Sequence, residues 1–179
     1  IYIQEYLVEQ GDNTGPYSAG AILKDPTVEV AVLETARGGI LRSGLAFDSC
    51  DVGVVLNVAA DHLGLGGIDT IEQMARVKAV VAETVKADGH AILNADDPLV
   101  AAMAEKLNCN VAYFSMNPDN PIIIEHSRRN GLAAVYEHGY LSILEGKWTL
   151  RIEKAINIPM TMGGKAPFMI ANALASCLA

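Results

Sequence analysis

Two acidic side chains and a histidine follow short apolar runs of the kind that form buried parallel strands. The runs are Val28–Leu33 and Val52–Leu56, and both are rich in β-branched residues. Glu34 comes directly after the first run, and Asp61 and His62 come shortly after the second. In open α/β sheets, ligands bind beyond the carboxyl ends of the strands. We therefore expect these carboxylates and the imidazole to converge where a metal-bound phosphate ligand sits.

A hydroxyl and an arginine are candidates for the same site. Thr14 lies in the turn Gly11–Gly15, where it is either a cap for the helix that Pro16 opens or a hydroxyl beside a nucleotide-bound metal. Arg37 stands in a glycine-rich stretch, TARGG, that does not match the dinucleotide pattern GxGxxG. Its glycines would let the backbone approach an anion, with Arg37 adding positive charge, or the arginine is simply solvated.

Lys78 lies on the apolar stripe of the clearest predicted helix. That helix begins with a capping-box pattern at Thr70 and Gln73, and its apolar side carries Ile71 and Val85, each seven residues from Lys78. A lysine on a buried face must be paired, neutralised or modified, or must extend along its own stem to solvent. Lys78 therefore either snorkels to solvent or reaches the site, as a cation near phosphate or as a carbamate that binds metal.

Three further polar residues occupy informative positions. Asn94 comes directly after the predicted strand His90–Leu93. An amide at a strand end can pair with the hydrogen-bonding edge of a base. Asp97 stands before a proline, which is typical of a helix N-cap. Asn172 is the polar residue in the middle of an apolar closing helix, where a satisfied core amide is the simplest interpretation.

The order of these elements predicts a doubly wound, mostly parallel α/β sheet. Four strands are predicted: the two apolar runs named above, His90–Leu93 and Asn110–Ser115. Predicted helices lie between them. A small antiparallel meander is predicted at about residues 131–154, where three runs alternate apolar and polar residues between turns. No repeat or linker divides the chain, so we expect one domain over residues 1–179, incomplete at its N-terminus.

Composition narrows the classes of function. The chain has 179 residues and a formal net charge of −8, which argues against nucleic-acid and anionic-membrane partners. No apolar run approaches the ~18–20 residues of a membrane span. Cys50, Cys109 and Cys177 are widely spaced, which suits reduced thiols in a cytoplasm rather than disulfides or a zinc site. The chain begins with Ile1, and we interpret it as a piece of a longer protein.

Five segments together carry a more specific pattern. They are LETARGGILRSGL (33–45), NVAADHLGLGGIDT (57–70), ARVKAVV (75–81), LNADDP (93–98) and APFMIANALA (166–175). In order and spacing they resemble the Mur-ligase-like region of the cyanophycin synthetase family, over essentially the whole chain. The resemblance implies the fold of the central ATP-binding domain of Mur ligases and folylpolyglutamate synthases.

The resemblance implies an ATP-dependent ligase that forms amide bonds. In this family the corresponding region joins arginine to the side-chain carboxylate of aspartate on a poly-aspartate chain, which yields cyanophycin. The carboxylate is first converted to an acyl phosphate with ATP and Mg²⁺. We expect the full-length protein to be a homo-oligomer, with no nucleic-acid or membrane partner.

Roles for individual residues follow from the same resemblance. Glu34 and His62 fall where the family binds a second magnesium ion, and Thr14 resembles the position that gives a hydroxyl to the other ion. Lys78 matches a lysine that several Mur-type ligases carry as a carbamate, and Asn94 matches an asparagine that contacts adenine.

Asn172 matches the last residue of the family's HNxxN motif, but the sequence also departs from the family pattern. The motif reads FMIAN over residues 168–172, so its first two polar positions are lost. The GxxGKT phosphate loop is absent, and by resemblance it belongs just upstream of Ile1. We therefore expect the chain by itself to be inactive. The alternatives are a Mur-type ligase that acts on a muramyl peptide or folyl-glutamate, and a non-catalytic α/β binding module.

Overall fold

The computed structural model describes residues 1–3, 5–8, 10–11, 13–61 and 63–179. Its strands are β1 (Tyr2–Ile3), β2 (Tyr6–Leu7), β3 (Cys50–Val55), β4 (Val85–Asn94), β5 (Asn110–Ser115), β6 (Leu132–Glu137), β7 (Tyr140–Glu145) and β8 (Trp148–Lys154). Its helices are α1 (Pro16–Leu23), α2 (Arg37–Ser43), α3 (Ile71–Glu83), α4 (Pro98–Ala101), α5 (Pro121–Arg128) and α6 (Pro167–Leu178). Short 3₁₀ turns lie at Ala102–Lys106, Ala155–Asn157 and Pro159–Thr161.

Six strands form one sheet in the order β3-β4-β5-β6-β7-β8, and β1 and β2 form a separate antiparallel pair. The strands β3 to β6 run parallel, whereas β6, β7 and β8 pair antiparallel. A crossover must join each parallel pair, and α3, α4 and α5 lie in those three connections. The predicted α/β fold, with a mostly parallel sheet and an antiparallel meander near the C-terminal end, is confirmed.

Helices cover both faces of this sheet. Successive side chains of a strand point to opposite faces, so the two fully buried neighbours Ile92 and Leu93 belong to different clusters. Leu93 packs in the cluster that contains residues of α3, α4 and α5, and Ile92 packs in the cluster of α6. Within the part of the chain that the structure describes, no helix has both the length and the apolar composition needed to cross a membrane.

The predicted strand over Val28–Leu33 is wrong. The segment joins neither described sheet, and the side chains of Val30 and Val32 are 82% and 93% exposed. An apolar run becomes a strand only where a neighbour takes up its N–H and C=O groups, and none of the described strands pairs with this one. Glu34 therefore follows an unpaired segment rather than a strand of the sheet.

The glycine-rich stretch after Glu34 forms helix α2 rather than an open loop. Gly39 of this helix is buried, and a Cβ built there would lie 3.3 Å from Cδ of Pro16 at the start of α1. The absence of a side chain thus allows α1 and α2 to pack closely. This is a packing role for the glycine, distinct from the anion-binding role considered from the sequence.

Helix α3 packs unusually close to β3. Its N-terminus has the predicted capping box, in which Thr70 accepts a hydrogen bond from the Gln73 amide and the Gln73 side chain accepts one from Thr70. At Gly53 of β3, a built Cβ would lie 2.7 Å from the carbonyl oxygen of Val81 in α3 and 2.7 Å from a methyl carbon of Val85. The missing side chain therefore sets the distance of α3, and of Lys78 on it, from the sheet.

We expect Gly53→Ala to destabilise the fold by about 1–3 kcal/mol, because α3 must move away from β3 to admit the methyl group. Chemical denaturation measures the change in the free energy of unfolding. The matched control is Gly20→Ala in α1, where a Cβ makes only an ordinary contact of 4.0 Å with Ala46. That variant should be neutral or slightly stabilising, since alanine is the better helix former. Equal effects of the two substitutions would contradict the close approach.

His126 lies on α5 and is half-buried against the sheet. Its ring meets the Tyr113 ring edge-on, with the centroids 5.0 Å apart. Its Nε2 is buried and has no hydrogen-bond partner among the described residues. Burial lowers the pKa of His126 below its usual value, and this effect outweighs backbone hydrogen bonds with Leu132 and Val111, which favour the charged form. The folded protein thus favours the neutral imidazole.

We expect the stability contributed by His126 to be complete above about pH 6.5, the pKa of an unfolded-state histidine, and to fall as the pH drops below it. Below that pH the imidazole of His126 is protonated more readily in the unfolded chain than in the folded chain, so the free energy of unfolding decreases. Denaturation of wild type and His126→Asn between pH 7.5 and 5 should show the wild type losing stability relative to the variant. His138→Asn removes an exposed histidine from a left-handed turn position and serves as the control. A wild-type profile parallel to that of His126→Asn would refute the prediction.

Candidate active site

Polar side chains gather at the edge of the sheet where the parallel strands β3, β4 and β5 end. Parallel strands present their carboxyl ends at one edge, so the residues that follow Val55, Asn94 and Ser115 are neighbours. We use the name β3 exit for Leu56–Val58, the segment that leaves the sheet after β3.

Three side chains from three different elements hold the β3 exit. Asn94 donates from Nδ2 to the Leu56 carbonyl oxygen at 2.8 Å. Lys78 donates from Nζ to the Asn57 carbonyl oxygen at 2.7 Å. The Val58 amide donates to Oδ2 of Asp97 at 2.7 Å. Three consecutive residues of the main chain are thus fixed by side chains, just beyond the last paired residue of β3.

Lys78 therefore reaches the carboxyl edge of the sheet. The residue is half-buried on α3, and its stem runs along the apolar side of that helix toward the end of β3. The ammonium group thus places a positive charge beside the strand ends, a position that is consistent with both interpretations of Lys78.

Asn94 keeps part of its hydrogen-bonding capacity. One of its two N–H groups binds the Leu56 oxygen, and its Oδ1 accepts a hydrogen bond from the Asp96 amide at 2.9 Å. A carboxamide has two N–H donors and two acceptor lone pairs, so one donor and one acceptor have no partner among the described residues. The half-buried side chain can therefore hold the strand end and still contact a further ligand.

The turn after Asn94 also links β4 to β5. The Asp96 carboxylate accepts hydrogen bonds from the Ser115 hydroxyl at 2.5 Å, from the Met116 amide at 2.7 Å and from Asn120 Nδ2 at 3.0 Å. Asp96 is not among the residues that the sequence predicts for the site. The NADD segment has two consecutive acidic residues, Asp96 and Asp97, at a strand end. Because adjacent carboxylates need separate partners, this pair was the sequence signal that could have pointed to Asp96.

Thr14 and Glu34 lie together at a different place. They line one small cleft, which also contains Gly39 and Gly44, and we call it the Thr14 cleft. The Ala36 amide donates to the Thr14 carbonyl oxygen at 3.3 Å and so ties the two sides of this cleft. Glu34 is exposed, and Thr14 is half-buried. A hydroxyl and a carboxylate in one cleft are oxygen donors of the kind that Mg²⁺ prefers.

Arg37 extends from α2 to the loop that precedes α3. Its Nη1 donates to the Leu65 carbonyl oxygen at 3.1 Å, and the loop is closed by a hydrogen bond of 2.8 Å from the Gly64 amide to the Ile68 oxygen. His62 lies outside the described residues, so the proposed pairing of Glu34 with His62 rests on the sequence. Among the residues described, no group of three or more His, Cys, Asp and Glu side chains could hold a metal ion.

Asn172 lies on α6, the helix that covers the other face of the sheet. Its Nδ2 is 3.9 Å from the Met169 sulfur, and the residue is half-buried. Hydrogen bonds among the described residues bring Asn94 and Lys78 together at the β3 exit, and the Thr14 cleft brings Thr14 and Glu34 together. Asn172 joins neither group through them.

Comparison with known proteins agrees with this architecture. The Mur ligase middle domain family matches residues 5–179. Cyanophycin synthetase of Crocosphaera subtropica is 80% identical over 179 residues, which is 100% of this chain and 20% of that protein. Cyanophycin synthetase of Synechocystis sp. is 79% identical over the same length and coverage.

A more distant relative matches a shorter part of the chain. UDP-N-acetylmuramoyl-tripeptide--D-alanyl-D-alanine ligase of Mycobacterium tuberculosis is 50% identical over 64 residues, which is 36% of this chain and 12% of that protein. The chain spans about 20% of the length of the cyanophycin synthetases it matches. The resemblance inferred from the five sequence segments is confirmed, and the chain belongs to the Mur ligase middle domain family.

Proposed function

We propose that this chain is the ATP-binding unit of a ligase that joins arginine to the side-chain carboxylate of aspartate on a poly-aspartate chain. The observation that carries the proposal is the convergence of Asn94 and Lys78 on the exit of a parallel strand, in a chain of the Mur ligase middle domain family. Similarity to cyanophycin synthetases extends over 100% of the chain, whereas similarity to the muramoyl-tripeptide ligase covers 36%. The arginine-adding reaction is therefore favoured over ligation to a muramyl peptide.

The proposed reaction has two steps. A carboxylate oxygen of the aspartate side chain attacks the γ-phosphorus of ATP, and ADP leaves. The α-amine of arginine then attacks the acyl carbon of the resulting acyl phosphate and loses a proton, and the tetrahedral intermediate expels phosphate. Both steps concentrate negative charge, so catalysis needs positioned cations and hydrogen-bond donors.

The chain offers oxygen donors for a metal ion at the Thr14 cleft. Magnesium, when bound, would neutralise the phosphate groups of ATP and polarise the transferred one. We propose that Thr14 and Glu34 hold it, because both residues line one small cleft and hydroxyl and carboxylate oxygens are ligands that Mg²⁺ prefers. His62 is proposed as a further ligand from the sequence alone, either directly or through a water, since imidazole is an unusual ligand for this hard ion.

Lys78, Arg37, Asn94 and Asn172 are proposed to contact the nucleotide. The spare donor and acceptor of Asn94 match the edge of adenine, which also presents one of each. Lys78 supplies a positive charge at the strand ends in its ammonium form, and its carbamate form remains the alternative. Arg37 supplies charge from α2, and Asn172 is assigned on the family motif.

The proposal is tested with a full-length protein that carries this chain, given ATP, Mg²⁺, arginine and a primer of aspartate with arginine on its side chain. We expect phosphate release that depends on arginine and primer. Glu34→Gln should lower kcat/KM by about 10² because a metal-binding charge is lost. The matched control is Glu29→Gln, an exposed carboxylate on the same extended segment, which should leave the rate unchanged. Equal rates for the two variants, or turnover with a muramyl peptide instead, would contradict the proposal.

We expect Asn94→Ala to raise the KM for ATP about tenfold, which corresponds to ~1.4 kcal/mol, and to weaken the preference for ATP over GTP. The preference for ATP over GTP is the informative measurement, because guanine presents a different set of donors and acceptors. General damage to the site would weaken the binding of both nucleotides alike. Asn110→Ala is the matched control, since the Asn110 side chain also donates to main-chain carbonyl oxygens, those of Asp88 and Gly89, but at the opposite edge of the sheet. An unchanged ratio of the two KM values would exclude Asn94 from base recognition.

A further inference from the structure

Asp97 holds two different main-chain segments with its two carboxylate oxygens. Oδ1 accepts hydrogen bonds from the Leu99 and Val100 amides at 3.0 and 3.2 Å, which is the N-cap of α4 that the sequence predicts. Oδ2 accepts from the Val58 amide at 2.7 Å, across 39 positions of sequence. The second contact is not part of capping, so the residue has a role beyond starting a helix.

The Val58 contact is the last of the three that hold the β3 exit. Val58 is 8% exposed and belongs to the core cluster beneath α3, whereas the chain beyond it turns outward to Asp61 and the glycine-rich loop. Its amide is the point at which the main chain is fixed before it leaves the core. A charge-assisted hydrogen bond at this point is short and directional, so it sets the course of the loop.

We propose that Asp97 is a positioning residue of the site: through Oδ2 it fixes the path of residues 58–61, and through Oδ1 it ties that path to α4. This inference rests on the proposed function, because the loop it fixes leads to the proposed metal ligand at position 62. Loss of the anchor displaces the loop while the residues that bind the adenine side of ATP stay in place. A displacement of about 1 Å in a group that takes part in the reaction slows the chemical step more than it weakens nucleotide binding.

The variant Asp97→Asn separates the two duties. Asparagine caps helices as well as aspartate does, so its one oxygen can keep the Leu99 and Val100 contacts. Its amino group then faces the Val58 amide, donor against donor, and the anchor is lost. We expect kcat in the full-length protein to fall tenfold or more, with KM for ATP within about threefold of wild type. Ile123→Val, a buried change in α5 with a similar cost in stability, should leave both constants unchanged.

Hydrogen exchange followed by mass spectrometry provides a readout that is independent of turnover. In Asp97→Asn, exchange of the amides in residues 56–61 should accelerate at least tenfold, while those of α4 stay protected. Unchanged exchange, or a wild-type kcat in the variant, would overturn the positioning role. If wild type itself shows no ATP-dependent ligation, the proposed function fails and the catalytic part of this inference fails with it. Accelerated exchange in that case would still establish the anchor.

Discussion

A main chain that leaves a parallel sheet must replace the hydrogen bonds that its neighbour strand no longer supplies. At the end of β3 the replacements are side chains: Asn94 for the Leu56 oxygen, Lys78 for the Asn57 oxygen and Asp97 for the Val58 amide. Val58 is buried, so its amide without a partner would cost free energy comparable to a lost hydrogen bond, whereas at the exposed residues Leu56 and Asn57 the side chains take the place of water. The candidate site depends on this requirement, because the same side chains that satisfy the backbone also bring charge and hydrogen-bonding groups to the strand ends.

The segment after β4 extends the arrangement to the next strand. Its residues Asn94 and Asp97 bind the exit of β3, and Asp96 between them binds Ser115 and Met116 at the exit of β5. The ends of three parallel strands are therefore one hydrogen-bonded unit. Sites held in this way lose little free energy to reorganisation when a charged ligand binds, since the donors already point in fixed directions.

The sequence predicted those parts of the fold that are decided by local pattern. The bounds of β5 were predicted to the residue, and the capping box at Thr70 placed the start of α3, because side-chain alternation and cap chemistry act over a few positions. The run Val28–Leu33 has the same local pattern as a strand but no described neighbour. Strand formation there depends on a partner distant in sequence, which composition cannot supply.

The site shows the same division between local and distant information. Position after an apolar run was enough to single out Asn94, and the apolar stripe was enough to single out Lys78. Their partners are carbonyl oxygens of the β3 exit, and these contacts follow from strand order and register rather than from residue type. Asp97 was recognised as a cap because capping is local, whereas its bond to Val58 spans two elements and became visible only in the fold.

The two groups of candidate residues are connected through α2. The Thr14 carbonyl oxygen accepts a hydrogen bond from the Ala36 amide at the start of this helix. Arg37, the next residue, donates to the Leu65 carbonyl oxygen in the loop before α3. Helix α3 in turn carries Lys78 to the β3 exit. A continuous series of hydrogen bonds and one rigid helix thus runs from the Thr14 cleft to the strand ends. A ligand whose charged groups reach both places would therefore bind residues whose relative positions the fold already constrains, which is the condition under which binding free energy can be used for catalysis.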